Sequence, residues 1–148
     1  MIDNLDRAIL HALQKNARGS YADIAKAQQV SPATIHVRVE KLKKAGVITG
    51  TELKVDPKAL GFDICCFIGI TLRQAGDYPK AIAKLEALPE VVEAHYTTGQ
   101  YSVFIKVLVR NIDDLHKLLV ERLQVIDEVQ STETLISLEQ PINRPFEA

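Results

Sequence analysis

The 148-residue sequence has no tryptophan, one methionine and two cysteines, and only 5% of its residues are aromatic. Its longest stretch without an acidic or basic residue is 94–105, whereas a membrane-spanning helix needs about 20 apolar residues. Cys65 and Cys66 are adjacent, so a strand would direct them to opposite faces. The first residues lack the basic and apolar regions of a secretory signal. We therefore expect a cytoplasmic protein with no membrane partner.

Patterns typical of metal and enzyme chemistry are also missing. The four histidines are not spaced as metal ligands, either with one another or with the cysteines. The sequence contains no Gly-rich phosphate loop and no nucleophile motif. We therefore predict no catalytic residue, no metal and no cofactor. A small enzyme of amino-acid metabolism remains the alternative from a different functional class.

Charge is nearly balanced in total, with a net charge of −1, but it is unevenly distributed. Residues 1–54 contain nine Lys/Arg and five Asp/Glu, whereas residues 55–148 contain nine and 14. The basic character of residues 1–54 indicates a module that binds a polyanion. Two solvated surfaces that differ in charge are the alternative, so charge alone does not decide.

Helical patterns fill the basic part. Leu5, Ile9 and Leu13 share one helical face up to about Asn16, and Asp3 or Asn4 can cap its start. A short second helix follows Ser20, which with Asp23 has the form of a capping box. A third runs from Pro32, capped by Ser31, to about Ala45, and Gly46 ends it. Three such helices predict a helix-turn-helix, whose last helix enters the major groove of double-stranded DNA. An ordinary amphipathic surface helix is the alternative.

Several segments carry a family resemblance. Residues 3–10, 21–25, 31–39 and 45–48 are similar to the DNA-binding half of the Lrp/AsnC family of transcriptional regulators. Residues 36–41 and 131–137 most resemble its asparagine-responsive members. Unlike the family pattern, Gln29 replaces a glycine in the turn before the third helix. If Gln29 adopts positive φ, it carries a local strain of about 1 kcal/mol.

The third helix presents short side chains and then basic ones away from its predicted core face, Ile35, Val39 and Leu42. Short side chains permit close approach to bases, and basic ones suit phosphates. The candidate DNA contacts are Ser31, Ala33, Thr34, His36, Val37, Arg38 and Lys41. A further alternative is a sensor whose first domain contacts another protein and not DNA.

The remaining sequence predicts a second domain. Residues 47–55 indicate one or two short strands. Period-two and helical patterns then follow in the order βαββαβ, including a helix capped by Asp77 and a hairpin of residues 91–98 and 101–109 turning at Gly99-Gln100. This order predicts a ferredoxin-like fold, so the fold class is α+β. We assign residues 1–50 to the helix-turn-helix domain, 51–61 to a connector, 62–140 to the ferredoxin-like domain and 141–148 to a C-terminal tail.

The predicted sheet leaves Phe67, Phe104 and Leu108 on the face away from its helices. Such an apolar face is expected to pack against a second copy. The family resemblance implies dimers assembled into larger oligomers, for which we expect an octamer. It also implies that this domain senses an amino acid.

Polar residues on the hairpin and last strand supply groups that a zwitterion needs, although threonine is also simply common in strands. By the family resemblance, the effector would lie between dimers against this hairpin and strand. The corresponding residues are Thr98, Gly99, Gln100, Tyr101, Ser102, Thr132 and Thr134. The absence of acids from the turn favours a neutral effector, which we expect to be L-asparagine, with another amino acid as the alternative.

Overall fold

The computed structural model describes all 148 residues and divides the chain into two compact units. The first contains Met1–Lys54 together with Ile142–Ala148, and the second contains Val55–Pro141. The last residues thus belong with the first unit, where the side-chain amide of Gln14 donates a hydrogen bond to the carbonyl of Phe146. None of the helices has the length and hydropathy that crossing a membrane requires.

Three helices form the first unit, and each begins where the sequence predicts. They are α1 (Asn4–Lys15), α2 (Tyr21–Gln28) and α3 (Pro32–Lys44). The side chains of Asp3, Ser20 and Ser31 accept hydrogen bonds from backbone N–H groups in the first turn of each helix. The reciprocal bond of a capping box forms in α1, between Asp6 and the N–H of Asp3. The structure shows no such bond in α2.

The turn between α2 and α3 has the strained conformation considered above. Gln29 has φ 57° and ψ 42°, and it is the only residue other than glycine with positive φ. The N–H of Val30 then donates to the carbonyl of Ala25 at 3.0 Å, which closes the turn. Left-handed backbone is unfavourable for a residue with a Cβ atom, so this turn carries the cost that a glycine would avoid.

The core of the first unit is small. One cluster consists of Ile9, Ile24, Ala25, Ile35 and Val39. Leu42 is also fully buried, which confirms the predicted inner face of α3. The prediction of strands over residues 47–55 is wrong, because residues 48–56 contain no helix or strand. Alternation there is weak and no neighbouring strand within the chain supplies hydrogen bonds, so the segment does not form a strand.

The second unit confirms the βαββαβ order. Its elements are β1 (Ile64–Leu72), α4 (Tyr78–Glu86), β2 (Val91–Tyr96), β3 (Val103–Val109), α5 (Ile112–Lys117) and β4 (Val129–Ile136). A π-helical turn, Leu118–Leu123, continues α5. The four strands form one sheet in the order β2-β3-β1-β4, and all neighbouring strands are antiparallel. This is the ferredoxin-like arrangement expected from the sequence.

Two local predictions in this unit need correction. Asp77 precedes α4, but its carboxylate accepts a hydrogen bond from the N–H of Gln74, in the preceding 3₁₀ turn, rather than from α4. The hairpin does not have a tight two-residue turn, because β2 ends at Tyr96 and β3 begins at Val103. Residues 97–102 therefore form a longer loop, closed by a hydrogen bond from the N–H of Thr97 to the carbonyl of Ser102.

The sheet separates a buried face from an open one. Alternate residues of β1 and β3, from Cys66 to Leu72 and from Val103 to Val109, are buried with α4 and α5 in a core of fifteen residues. Burial raises the pKa of the Cys66 thiol to about 11, so this thiol is a packing group rather than a nucleophile. On the open face, the rings of Phe67 and Phe104 stack with their centroids 5.9 Å apart.

Candidate functional site

The outward side of α3 is the first candidate site. Ser31 Oγ accepts from the N–H of Thr34 at 3.2 Å and lies 2.9 Å from its hydroxyl oxygen, which fixes the start of the helix. Val37 is 63% exposed, and Lys41 and Lys44 are exposed further along. This side therefore offers short side chains at its N-terminal end and two free cations toward its C-terminal end.

Most of the predicted DNA contacts are accessible from this side. Ser31, Ala33, His36, Val37 and Lys41 are exposed, and Thr34 is half-buried. The ring of His36 lies 6.1 Å from the ring of Tyr21 on α2, between centroids. The structure thus brings six of the seven predicted residues to the free surface of one helix and its cap.

Arg38 is the exception. Its guanidinium Nη1 donates to Asp3 Oδ2 at 2.5 Å and to Asp6 Oδ1 at 3.2 Å, and its side chain is only 28% exposed. Arg38 is thus paired with two carboxylates of its own unit, and its role as a DNA contact stays a prediction. The sequence held a signal for this, because Asp6 precedes Ile9 by three residues and so lies on the buried face of α1. A buried carboxylate requires a cation.

The hairpin loop is the second candidate site. Gly99 has φ 100°, a conformation that L residues rarely adopt. The loop is held by a hydrogen bond from Thr97 Oγ1 to the carbonyl of Tyr101 at 2.8 Å and by another from the N–H of Ser102 to the carbonyl of Ile70 at 2.9 Å. No hydrogen bond within the chain uses the backbone N–H groups of residues 98–101. Thr98, Gly99 and Gln100 are exposed.

Tyr101 is anchored on the open face of the sheet. A Cβ atom added to Gly69 would lie 2.6 Å from Tyr101 Cγ, so the ring occupies the space that a side chain at position 69 would need. The Tyr101 hydroxyl donates a hydrogen bond to the carboxylate of Glu133 on β4. This link could not be predicted from the sequence, because it depends on the register that places Gly69 opposite Glu133.

The same register separates two predicted effector residues from Tyr101. Thr132 is paired with Ile70 and Thr134 with Ile68, and directly opposed residues share a face of the sheet. Both threonines therefore point to the face covered by the helices, where they are half-buried. Tyr101 lies on the other face, so a single copy of the chain does not bring all seven predicted residues together.

No three His, Cys, Asp or Glu side chains lie close enough together to hold a metal ion. The two sites thus offer hydrogen-bonding groups and cations for binding.

Known proteins resemble both units. The AsnC-type helix-turn-helix domain matches residues 2–43, and the Lrp/AsnC ligand binding domain matches residues 65–145. Regulatory protein AsnC of Escherichia coli strain K12 is 62% identical over 144 residues, covering 97% of this chain and 95% of that protein. Its namesake in Haemophilus influenzae is 57% identical over 143 residues, with the same coverage of each chain.

Solved structures show the same fold. A structure of E. coli AsnC superimposes with a TM-score of 0.97 at 61% identity, covering 100% of this chain and 99% of the other. A Neisseria meningitidis transcriptional regulator in complex with L-Met shares the fold at 21% identity, with a TM-score of 0.92 over 97% of this chain and 94% of the other. The close relatives are regulators and not enzymes. The chain therefore belongs to the Lrp/AsnC family, as a transcriptional regulator with a DNA-binding helix-turn-helix domain and a ligand-binding domain.

Proposed function

We propose that this regulator senses an amino acid, L-asparagine, and thereby controls genes of asparagine or other amino-acid metabolism. Its similarity to proteins named AsnC supports this assignment. The observation that carries it is the hairpin loop, where the N–H groups of residues 98–101 have no partner in the chain. Such groups bind a carboxylate without any cationic side chain.

The chemistry of the loop favours a neutral polar effector. Residues 97–102 contain hydroxyl and amide side chains and no charged one. In the proposed site, Gly99 lets the ligand carboxylate approach the backbone, while Thr98, Gln100 and Ser102 offer donors and acceptors to the rest of the ligand. Tyr101 holds the loop through Glu133.

In this proposal, Thr132 and Thr134 belong to a different copy of the chain from the hairpin loop that binds the same ligand. Because they face away from Tyr101, they contribute only where a neighbouring dimer completes the site. The open sheet face, with its stacked Phe67 and Phe104, is the surface on which we propose that the dimer forms. Four such dimers give the octamer that we expect.

In the DNA complex, α3 occupies the major groove. Thr34 and Val37 lie nearest the bases, and Lys41 contacts a phosphate, with Ser31, Ala33 and His36 at the edges of the interface. An effector between dimers changes DNA affinity only by binding one mutual arrangement of the subunits more tightly than another.

Calorimetry with L-asparagine tests the effector site. The parent should bind, and Gly99→Asp should abolish binding because it places a carboxylate where the ligand carboxylate lies. Gly99→Ala is the matched control, since it has the same backbone strain and nothing lies within 4 Å of its Cβ atom. It should retain most of the affinity. Binding to DNA without effector should survive in both variants.

Equal affinity of the parent and Gly99→Asp for asparagine would show that the site lies elsewhere. A thermal-shift screen of the common amino acids covers the alternative that another one is the effector. A ligand at 100 times its dissociation constant should stabilise the protein by about 2.7 kcal/mol. If none does, the sensing proposal is wrong.

A further inference from the structure

Asp6 is a fully buried carboxylate in a unit with a small core. Its side chain is 0% exposed, and it lies one turn before Ile9, a member of the apolar cluster. Taking a carboxylate out of water is costly unless hydrogen bonds and a cation compensate. Asp6 Oδ2 accepts from the N–H of Asp3 at 3.1 Å, and Asp6 Oδ1 accepts from Arg38. Arg38 is the only basic side chain that forms an ion pair with it.

Arg38 also reaches the cap of α1. The same guanidinium nitrogen contacts Asp3, whose carboxylate accepts from the N–H of Asp6 at 2.8 Å. One side chain of α3 is thus bonded to both members of the capping box that starts α1. The contact fixes α3 against α1 at a point between the buried residues Ile35 and Val39.

We propose that Arg38 is a positioning residue, which holds α3 against the start of α1 and so sets the sequence specificity of DNA binding without contacting DNA. The inference relies on α3 being the helix that reads DNA. Sequence is read by side chains, such as Val37, that meet particular base edges, whereas phosphate contacts carry no sequence information.

The charge around Arg38 argues against a role as a phosphate contact. Arg38 is one cation beside two carboxylates, so the cluster has a net negative charge and does not attract phosphate. Moving the guanidinium to a phosphate would also leave Asp6 buried without a cation. On α3, Lys41 and Lys44 are exposed and form no ion pair, so they are the cations of this helix that are available to DNA.

Arg38→Gln tests the proposal on the full-length protein. The probes are the duplex that the parent selects from a random-sequence pool and an unselected random duplex of equal length. For Arg38→Gln we expect the affinity ratio between the two probes to fall about tenfold. Affinity for the random duplex and its dependence on salt should be unchanged. Arg38→Lys, which keeps a cation near both carboxylates, should recover part of the ratio.

Asp3→Asn is a second variant, which tests the proposal if Arg38→Gln does not fold. It should fold because asparagine also caps helices and because Asp6 keeps its ion pair with Arg38. It should lower the ratio in the same direction by a smaller factor. Lys43→Gln is the control, since it removes a surface pair with Glu40 on the same helix and should leave the ratio unchanged.

Two results would overturn the inference. If Arg38 contacts phosphate, Arg38→Gln weakens binding to both probes and reduces the salt slope by about one, while Asp3→Asn strengthens binding to the random duplex. If Arg38 contributes only to stability, the variants melt at lower temperature but keep the parent's affinity ratio.

Discussion

The two units differ in how much apolar packing stabilises them. The first has a core cluster of five buried residues and begins each helix with a side-chain cap, and it contains a buried carboxylate with its arginine. The second has a cluster of fifteen buried residues. A short chain buries too little apolar surface to be stable by packing alone. Each unit also has a buried carboxylate with its cation, Asp6 with Arg38 and Glu128 with Lys84. The comparison teaches that polar bonds of the same kind support both units, but the DNA-binding unit has less apolar packing beside them.

The exposed surfaces of the two units also differ in chemistry. The outward side of α3 presents small side chains and lysines, which suit a polyanion. The open sheet face of the second unit presents stacked aromatic rings, which suit another apolar surface. A charge should therefore be tolerated on the first surface and harmful on the second.

Phe104→Asp should produce the largest effect, because it would bury an unpaired charge in the middle of the proposed dimer interface. We expect dissociation to monomers in sedimentation velocity. Val37→Asp is the matched control on the exposed side of α3, and it should sediment like the parent. Unchanged sedimentation of Phe104→Asp would mean that the aromatic face is not the dimer interface.

Lys41→Ala should weaken binding to all DNA sequences about equally and reduce the salt slope by roughly one, since it removes one phosphate contact. Binding isotherms at several salt concentrations measure both quantities. Lys43→Ala, on the same helix but paired with Glu40, should keep the parent's slope. A change of base preference at one position would place Lys41 beside a base instead.

Gln29→Gly should stabilise the first unit by up to about 1 kcal/mol, because glycine adopts the left-handed backbone without strain. The complementary change, Gly46→Ala, occurs at φ 74° with free space around the Cβ atom, so it should destabilise by about as much. Denaturant unfolding of the full chain measures both. A lower melting temperature for Gln29→Gly would contradict the assigned strain.

The smallest expected effect is on the pH dependence of stability in acid. The hydrogen bond from Arg38, with one from the N–H of Asp6, lowers the pKa of Asp3 to about 2. A carboxyl with a lowered pKa adds stability that is complete above its unfolded pKa and is lost as pH falls through the folded value. Asp3→Asn should therefore unfold with a shallower pH dependence than the parent between about pH 4 and 2. Parallel curves for the two proteins would remove Asp3 from the acid response.

Periodicity and capping predicted the elements well, because they depend on neighbours in sequence. The caps Asp3, Ser20 and Ser31 and the inner face of α3 are examples. Contacts between distant segments were not predictable in this way. The Arg38 ion pairs require the packing of α1 on α3, and the position of Thr134 relative to Tyr101 requires the register of β4 on β1. Both features concern polar side chains that lie more than 30 residues along the chain from the residues they are compared with.

The ring of Tyr101 over Gly69 limits which residues can evolve at positions 69 and 101. Any side chain at position 69 would collide with the base of the ring, not with its flexible end. The two positions are therefore coupled under selection: a lineage that gains a side chain at 69 must lose the ring at 101 or move the hairpin loop. Homologues should accordingly show paired substitutions at these two sites, and a relative in which only position 69 has changed should have a remodelled loop.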